Sequence, residues 1–311
     1  MSPSHHPLSL KLLFALGILA LAALATPPAR SHESLAAVSA PAPSPPPATE
    51  SGQAIFRTGY TAYLGGFPFV DFTLDFRDDA GTYAADLVLE SRGLLERIRQ
   101  LRALATVRGV WDEALLARDP LAALRPEGYS RLYRLRDKAG QRDVRYDAAD
   151  GLPQGYNNNK EETRVSPEGR RHAFDPLSLL AAGRRLMTRL GPGDSVRLPV
   201  FDGRLRYDLV AQVGEPAPLT LGEESVPSLP VHLRVEPVEG FSKRHRRSWE
   251  GREIDLWFSA DGRLEPLKVV ADTGLGSFVA SRRAACAEAS PPCPVPLAAY
   301  RADGDTPSAT N

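Results

Sequence analysis

The sequence predicts a mainly β protein, a curled antiparallel sheet forming a barrel or half-barrel with a helix packed against it. Three observations predict it. Apolar and polar residues alternate with period two through most of residues 54–285, the pattern of strands with one wet face. Turn residues break that alternation at short intervals, and only one segment carries a full set of helix signals. Ten or eleven amphipathic strands expose far more apolar face than one helix can hide. A helix is about 10 Å wide and covers about two strands at ~4.8 Å spacing, so the sheet must curl on itself. A two-sheet β-sandwich is the alternative.

The elements follow in order. Val70, Phe72, Leu74 and Phe76 alternate with Asp71, Thr73, Asp75 and Arg77, and Tyr83, Ala85, Leu87 and Leu89 form the next inward row. Residues 93–104 (GLLERIRQLRAL) read as a second, weaker helix. Phe174-Asp175-Pro176 opens the strong one. Asp175 can cap free N–H groups, Pro176 suits the first helical position, and Phe174 and Leu179 are spaced as a hydrophobic staple. Leu179, Leu180, Leu186, Met187 and Leu190 make its apolar stripe, and Gly191-Pro192 stops it. Arg184, Arg185 and Arg189 lie near its C-terminus, where the helix dipole favours cations. Alternation resumes at 205–213, 231–236 and 253–259. Asp202-Gly203 and Asp261-Gly262 read as two-residue hairpin turns.

The ends differ from this domain. Leu12–Ala25 is an unbroken apolar run after Lys11, closed by Ala23-Leu24-Ala25, so residues 1–25 read as a secretory signal peptide. The alternative is an uncleaved anchor, but fourteen apolar residues span about 21 Å as a helix, short of a ~30 Å hydrocarbon core. Residues 26–53 hold seven prolines and no apolar period, which suggests a disordered tether. Export implies an oxidising compartment, so the two cysteines, Cys286 and Cys293, are expected to form a local disulfide pinning the tail 286–311.

The 311 residues carry 38 Lys plus Arg against 38 Asp plus Glu. Zero net charge argues against a nucleic-acid binder driven by bulk electrostatics. Two cysteines exclude a disulfide-rich scaffold and an all-cysteine zinc site. His172, His232 and His245 are the histidines of the folded region, and their spacing makes no metal motif. Phosphate-loop, dinucleotide and nucleophile-elbow fingerprints are missing. Asp272-Thr273-Gly274 matches the local signature of aspartic proteases, but it occurs once and also suits a turn between strands. No catalytic residue, metal site or cofactor is therefore expected.

Five pieces in order resemble a known family: Tyr60-x-x-Tyr-Leu-Gly-Gly, Leu124-Arg125-Pro126-x-x-Tyr129, Asp175-Pro176-Leu177-Ser178, Val200-Phe201-Asp202-Gly203-Arg204, and Ile254-Asp255-Leu256-Trp257 with Pro266. Together they resemble the exported bacterial proteins of domain of unknown function 3108. The resemblance implies a Gram-negative envelope protein and brings no established activity. It also implies an architecture similar to the curled-sheet-plus-helix carriers that shuttle lipoproteins across the periplasm.

The segment Lys243-Arg244-His245-Arg246-Arg247, followed by Trp249, is the one dense basic run. It is expected to form an exposed hairpin loop that contacts anionic headgroups or an acidic partner, with Trp249 at the interface. A solvated loop in a chain with many arginines is the plainer reading. The leading expectation is a periplasmic, non-enzymatic protein that binds a hydrophobic or amphipathic ligand, a lipid or lipoprotein-like group, inside the curled sheet. An envelope scaffold with a packed barrel and a protein partner comes next. A hydrolase acting on lipid, glycan or peptide comes third.

Overall fold

The computed structural model describes residues 54–79, 81–136, 138–273 and 276–285. Cys286 and Cys293, the tail, the signal sequence and the tether lie outside the described residues. The first half of the domain is a meander: β1 (Ala54–Leu64), β2 (Phe67–Asp79), β3 (Thr82–Ser91), β4 (Leu101–Trp111), β5 (Leu124–Leu135), β6 (Lys138–Tyr146), β7 (Pro153–Asn157) and β8 (Lys160–Glu161). The second half holds β9 (Ser195–Phe201), β10 (Arg206–Val213), β11 (Ala217–Leu221), β12 (Glu224–Glu239), β13 (Glu253–Ser259), β14 (Pro266–Asp272) and β15 (Ser277–Ala285). All pairs are antiparallel, and one sheet runs β8-β7-β6-β5-β4-β3-β2-β1-β15-β14-β13-β12-β10-β9, with β11 paired to β12. Pairing of β1 with β15 joins the two halves.

The sheet curls. Twelve strand intervals separate β7 from β9, which at ~4.8 Å each would place them roughly 58 Å apart if flat. Yet a Cβ on Gly155 in β7 would fall on the carbonyl oxygen of Gly203, just after β9. The edges meet without pairing as strands. The seam is spanned by the chain between β8 and the long helix. There Glu162 N–H donates to the Gly155 carbonyl, and Phe174 exchanges backbone bonds with Pro199 and Phe201. In the same stretch α4 (Pro167–Arg170) places the Arg170 guanidinium on the Pro153 carbonyl and the Gln154 side chain. The half-barrel is therefore as expected, with fifteen strands in place of ten or eleven; β7, β8 and β11, of two to five residues, are too short to show an alternation.

The long helix α5 (Pro176–Met187) packs into the concave side of the sheet, with ten of its twelve residues buried. Its sequence stripe understates this, because the curled sheet surrounds it on several sides. Asp175, fully buried, accepts hydrogen bonds from the Leu177 and Ser178 N–H groups, the Ser178 hydroxyl and the Tyr146 hydroxyl. Tyr83 reaches the same Ser178 hydroxyl from β3 at 2.9 Å. At the other end Arg184 and Arg185 pair with Asp78 of β2, and Arg184 donates to the Arg263 carbonyl. Arg184 also lies over the Phe76 ring at 4.5 Å. Gly183 has open space where a Cβ would sit, so close packing does not explain that glycine.

Three local expectations are corrected. Residues 93–104 are not one helix: α1 covers Gly93–Arg99, Gln100 turns through a positive φ of 46°, and β4 begins at Leu101. Pairing to β3 and β5 overrides the helical pattern there. Asp202-Gly203 opens a four-residue loop in which Asp202 caps the Arg204 and Leu205 N–H groups. Asp261-Gly262 lies in a six-residue loop held by Asp261 on Arg263 and Ser259. In both, a side-chain turn replaces the tight hairpin. The remaining short helices are α2 (Glu113–Leu116), α3 (Pro120–Ala123) and α6 (Lys243–Trp249).

Candidate functional site

Antiparallel alternation sends successive connections to opposite margins of the sheet, and charge is segregated between them. One margin carries the described residues 65–66, 92–100, 136, 158–159, 202–205, 240–252, 273 and 276. These hold ten Lys and Arg against three Asp and Glu. The opposite margin carries 81, 112–123, 147–152, 188–194, 214–216, 222–223 and 260–265, with three bases against ten acids. A neutral chain is thus folded into a strongly bipolar sheet.

The basic run lies on the basic margin as α6, not as an open loop. Ser242 caps it by accepting from the His245 N–H, and Arg246 is tied to the Pro237 and Val238 carbonyls. Trp249 does not reach the surface. Its ring is buried between Tyr207, 5.2 Å away, and Phe241, 5.5 Å away, because an indole at the end of a seven-residue helix can bury only against the sheet beneath it. His245 and Arg246 are half-buried, which leaves Lys243, Arg244 and Arg247 as the exposed cations of the run. No ion pair among the described residues engages these three, nor Arg97 in α1 or Arg136 in the β5–β6 turn.

Apolar side chains protrude at the same margin. Phe67, Leu94 and Ile98 are 78%, 71% and 49% exposed, and Val238 beside α6 is 42% exposed; these are four of the six exposed large apolar residues among those described. Phe67 follows Gly65-Gly66, both at positive φ, which turn the chain tightly enough to set it at a hairpin tip. Strand β2 holds α1 against that hairpin, since the Arg92 N–H donates to the Phe69 carbonyl at 2.7 Å. A Cβ on Gly93 would sit 3.1 Å from the Pro68 carbonyl oxygen. Sequence reading found the basic run but missed this patch, whose members come from three connections.

The model of the family described as protein of unknown function (DUF3108) matches residues 59–282. The chain belongs to this family. No curated protein matches this DUF3108 chain. A β-barrel-like protein of domain of unknown function DUF1849 from Brucella abortus, a crystal structure, is similar at 11% identity over 73% of this chain and 94% of that one, with a TM-score of 0.45.

His232 faces solvent with Asp255, 2.9 Å away, and Glu253. Asp272 ends β14, and the Thr273 hydroxyl donates to the Gly276 carbonyl within the turn. Among the described residues no group of three or more His, Cys, Asp or Glu is placed to hold a metal. No helix among them is long and apolar enough to cross a membrane. Arg131 and Arg142, a buried pair inside the half-barrel, were not visible in the sequence as a site.

Proposed function

We propose that this DUF3108 chain is a non-enzymatic protein of the bacterial envelope that docks on an anionic lipid surface through the basic margin of a packed half-barrel. The charge segregation carries the reading: the exposed cations Arg97, Arg136, Lys243, Arg244 and Arg247 share a margin with Phe67, Leu94 and Ile98. Protruding apolar tips ringed by cations suit the headgroup layer, where acyl-chain contact and attraction to anionic lipid add. The signal-peptide pattern of residues 1–25 supports an envelope address. A carrier with a hydrophobic ligand inside the sheet has less support, because α5 occupies the concave face.

The test is co-sedimentation of the full chain, purified after export, with vesicles. Binding is expected to vesicles containing about a third anionic phospholipid and to fall steeply with salt. Each cation near such a surface contributes about 1 kcal/mol, so Lys243→Gln/Arg244→Gln/Arg247→Gln should weaken binding about 100-fold. Phe67→Ser/Leu94→Ser should weaken it with little change in the salt slope. Equal binding to zwitterionic vesicles, or no loss in the triple variant, would sink the reading.

A further inference from the structure

The inner face of β5 and β6 holds a charge arrangement that the protein leaves incomplete. Arg131 and Arg142 are directly opposite in the strand register, and each is 2% exposed. Like charges across a strand pair repel, and burying an uncompensated ion costs several kcal/mol. The carboxylate that answers them is Asp202, with Oδ2 3.8 Å from Arg142 Nη1. Its Oδ1 is already engaged, accepting the Arg204 and Leu205 N–H groups. Arg131 Nε and Nη1 and Arg142 Nε are buried with no acceptor. Burial and the neighbouring Arg142 push the Arg131 guanidinium down to about 10, so it stays charged at neutral pH. Two cations and one anion leave one positive charge enclosed beside Tyr129 and Tyr207.

The position of the pair is as telling as its charge. Gly203, where the two ends of the sheet meet, lies on the Arg142 side chain: a Cβ there would be 3.1 Å from Arg142 Cδ and Cγ. This is the seam between β7 and β9, which no strand ladder closes. A group entering there breaks no strand ladder but must part the contact between Gly155 and Gly203.

We propose that Arg131 and Arg142 form a binding site for one singly charged oxyanion, a carboxylate or phosphate group inserted at the seam. One negative charge balances the enclosed surplus and supplies acceptors for Arg131 Nε and Nη1 and Arg142 Nε. The group can be a free anion or the head of an amphipathic molecule, and the chemistry at the guanidinium pair is the same. The site lies on the inner face of the sheet and does not depend on the lipid-docking margin.

The experiment is thermal unfolding of the full chain, refolded from urea into a buffer whose only anion is a bulky sulfonate. Inorganic phosphate, acetate and laurate are titrated separately. Saturation to 100 times Kd should raise Tm by about 5–10 °C for a domain of this size. A response to phosphate or acetate with no further gain from laurate assigns a free anion. A response to laurate at concentrations far below those needed for acetate assigns an amphipathic ligand. Arg131→Met should fold, with Tm unchanged or raised because a like charge is gone, lose the response, and still bind anionic vesicles. No saturable response to any of the three, or the same response in Arg131→Met, overturns the proposal.

Discussion

Asp175→Ala should be among the most damaging single changes in the domain. The carboxylate is fully buried and accepts four hydrogen bonds at the start of α5. Alanine removes the helix cap, about 1 kcal/mol. It also strips the acceptor from the Tyr146 O–H, a buried donor, at about 1–3 kcal/mol. Ser178 keeps Tyr83 as a partner, and Tyr146 keeps the Asp175 backbone N–H, so the loss stops short of four orphaned groups. The sum is about 2–4 kcal/mol, or about 4–16 °C in Tm for a domain of this size. Asp175→Asn separates charge from geometry. Burial raises the carboxyl above its ordinary value of 3.8, against the pull of its hydrogen bonds to Ser178 and Tyr146. A raised folded-state pKa gives stability that is fully present below the unfolded value and lost as pH rises through the folded one. The wild type's advantage over Asp175→Asn should therefore be largest near pH 4 and shrink toward neutrality. Urea melts of the three chains at several pH values between 4.5 and 8 measure this. A gap that widens with pH, or an alanine variant within 1 kcal/mol of wild type, would refute the assignment of Asp175 as a desolvated cap.

Two glycines in contrasting surroundings give further tests. Gly155→Ala puts a methyl on the Gly203 carbonyl at the seam; it should cost about 1–3 kcal/mol as overpacking and speed hydrogen exchange in β7, which amide exchange would read. Gly183→Ala meets open space in the middle of α5 and should stabilise by about 0.5–1 kcal/mol; a destabilised variant in the same urea melts would show that the helix needs that gap.

The sheet was legible where one face is wet. At β2 and β13 the alternation of Phe72 with Asp71 and Leu256 with Asp255 gives both the strand and its inward face. The helix start was legible for the same kind of reason, because Asp175 and Pro176 act locally. Residues 101–104 were not, since Leu101, Ala103 and Leu104 satisfy a helical stripe as well as a strand and only their partners decide. Site residues fared worse. Arg131 sits in phase with Tyr129 and Tyr133 while Leu132 on the other face is 42% exposed, so polarity along β5 points the wrong way. A buried arginine looks like a surface one until the register sets Arg142 opposite it.

The charge pattern carries the same lesson one level up. Zero net charge argues against a chain drawn to nucleic acid as a whole. It does not bear on local attraction, because screening confines each charge to about a Debye length, ~8 Å at physiological salt. What a surface meets is the margin turned toward it, and an antiparallel meander sorts its connections alternately between two margins. Acids placed in every second connection and bases in the others cancel in the sum and add in the fold.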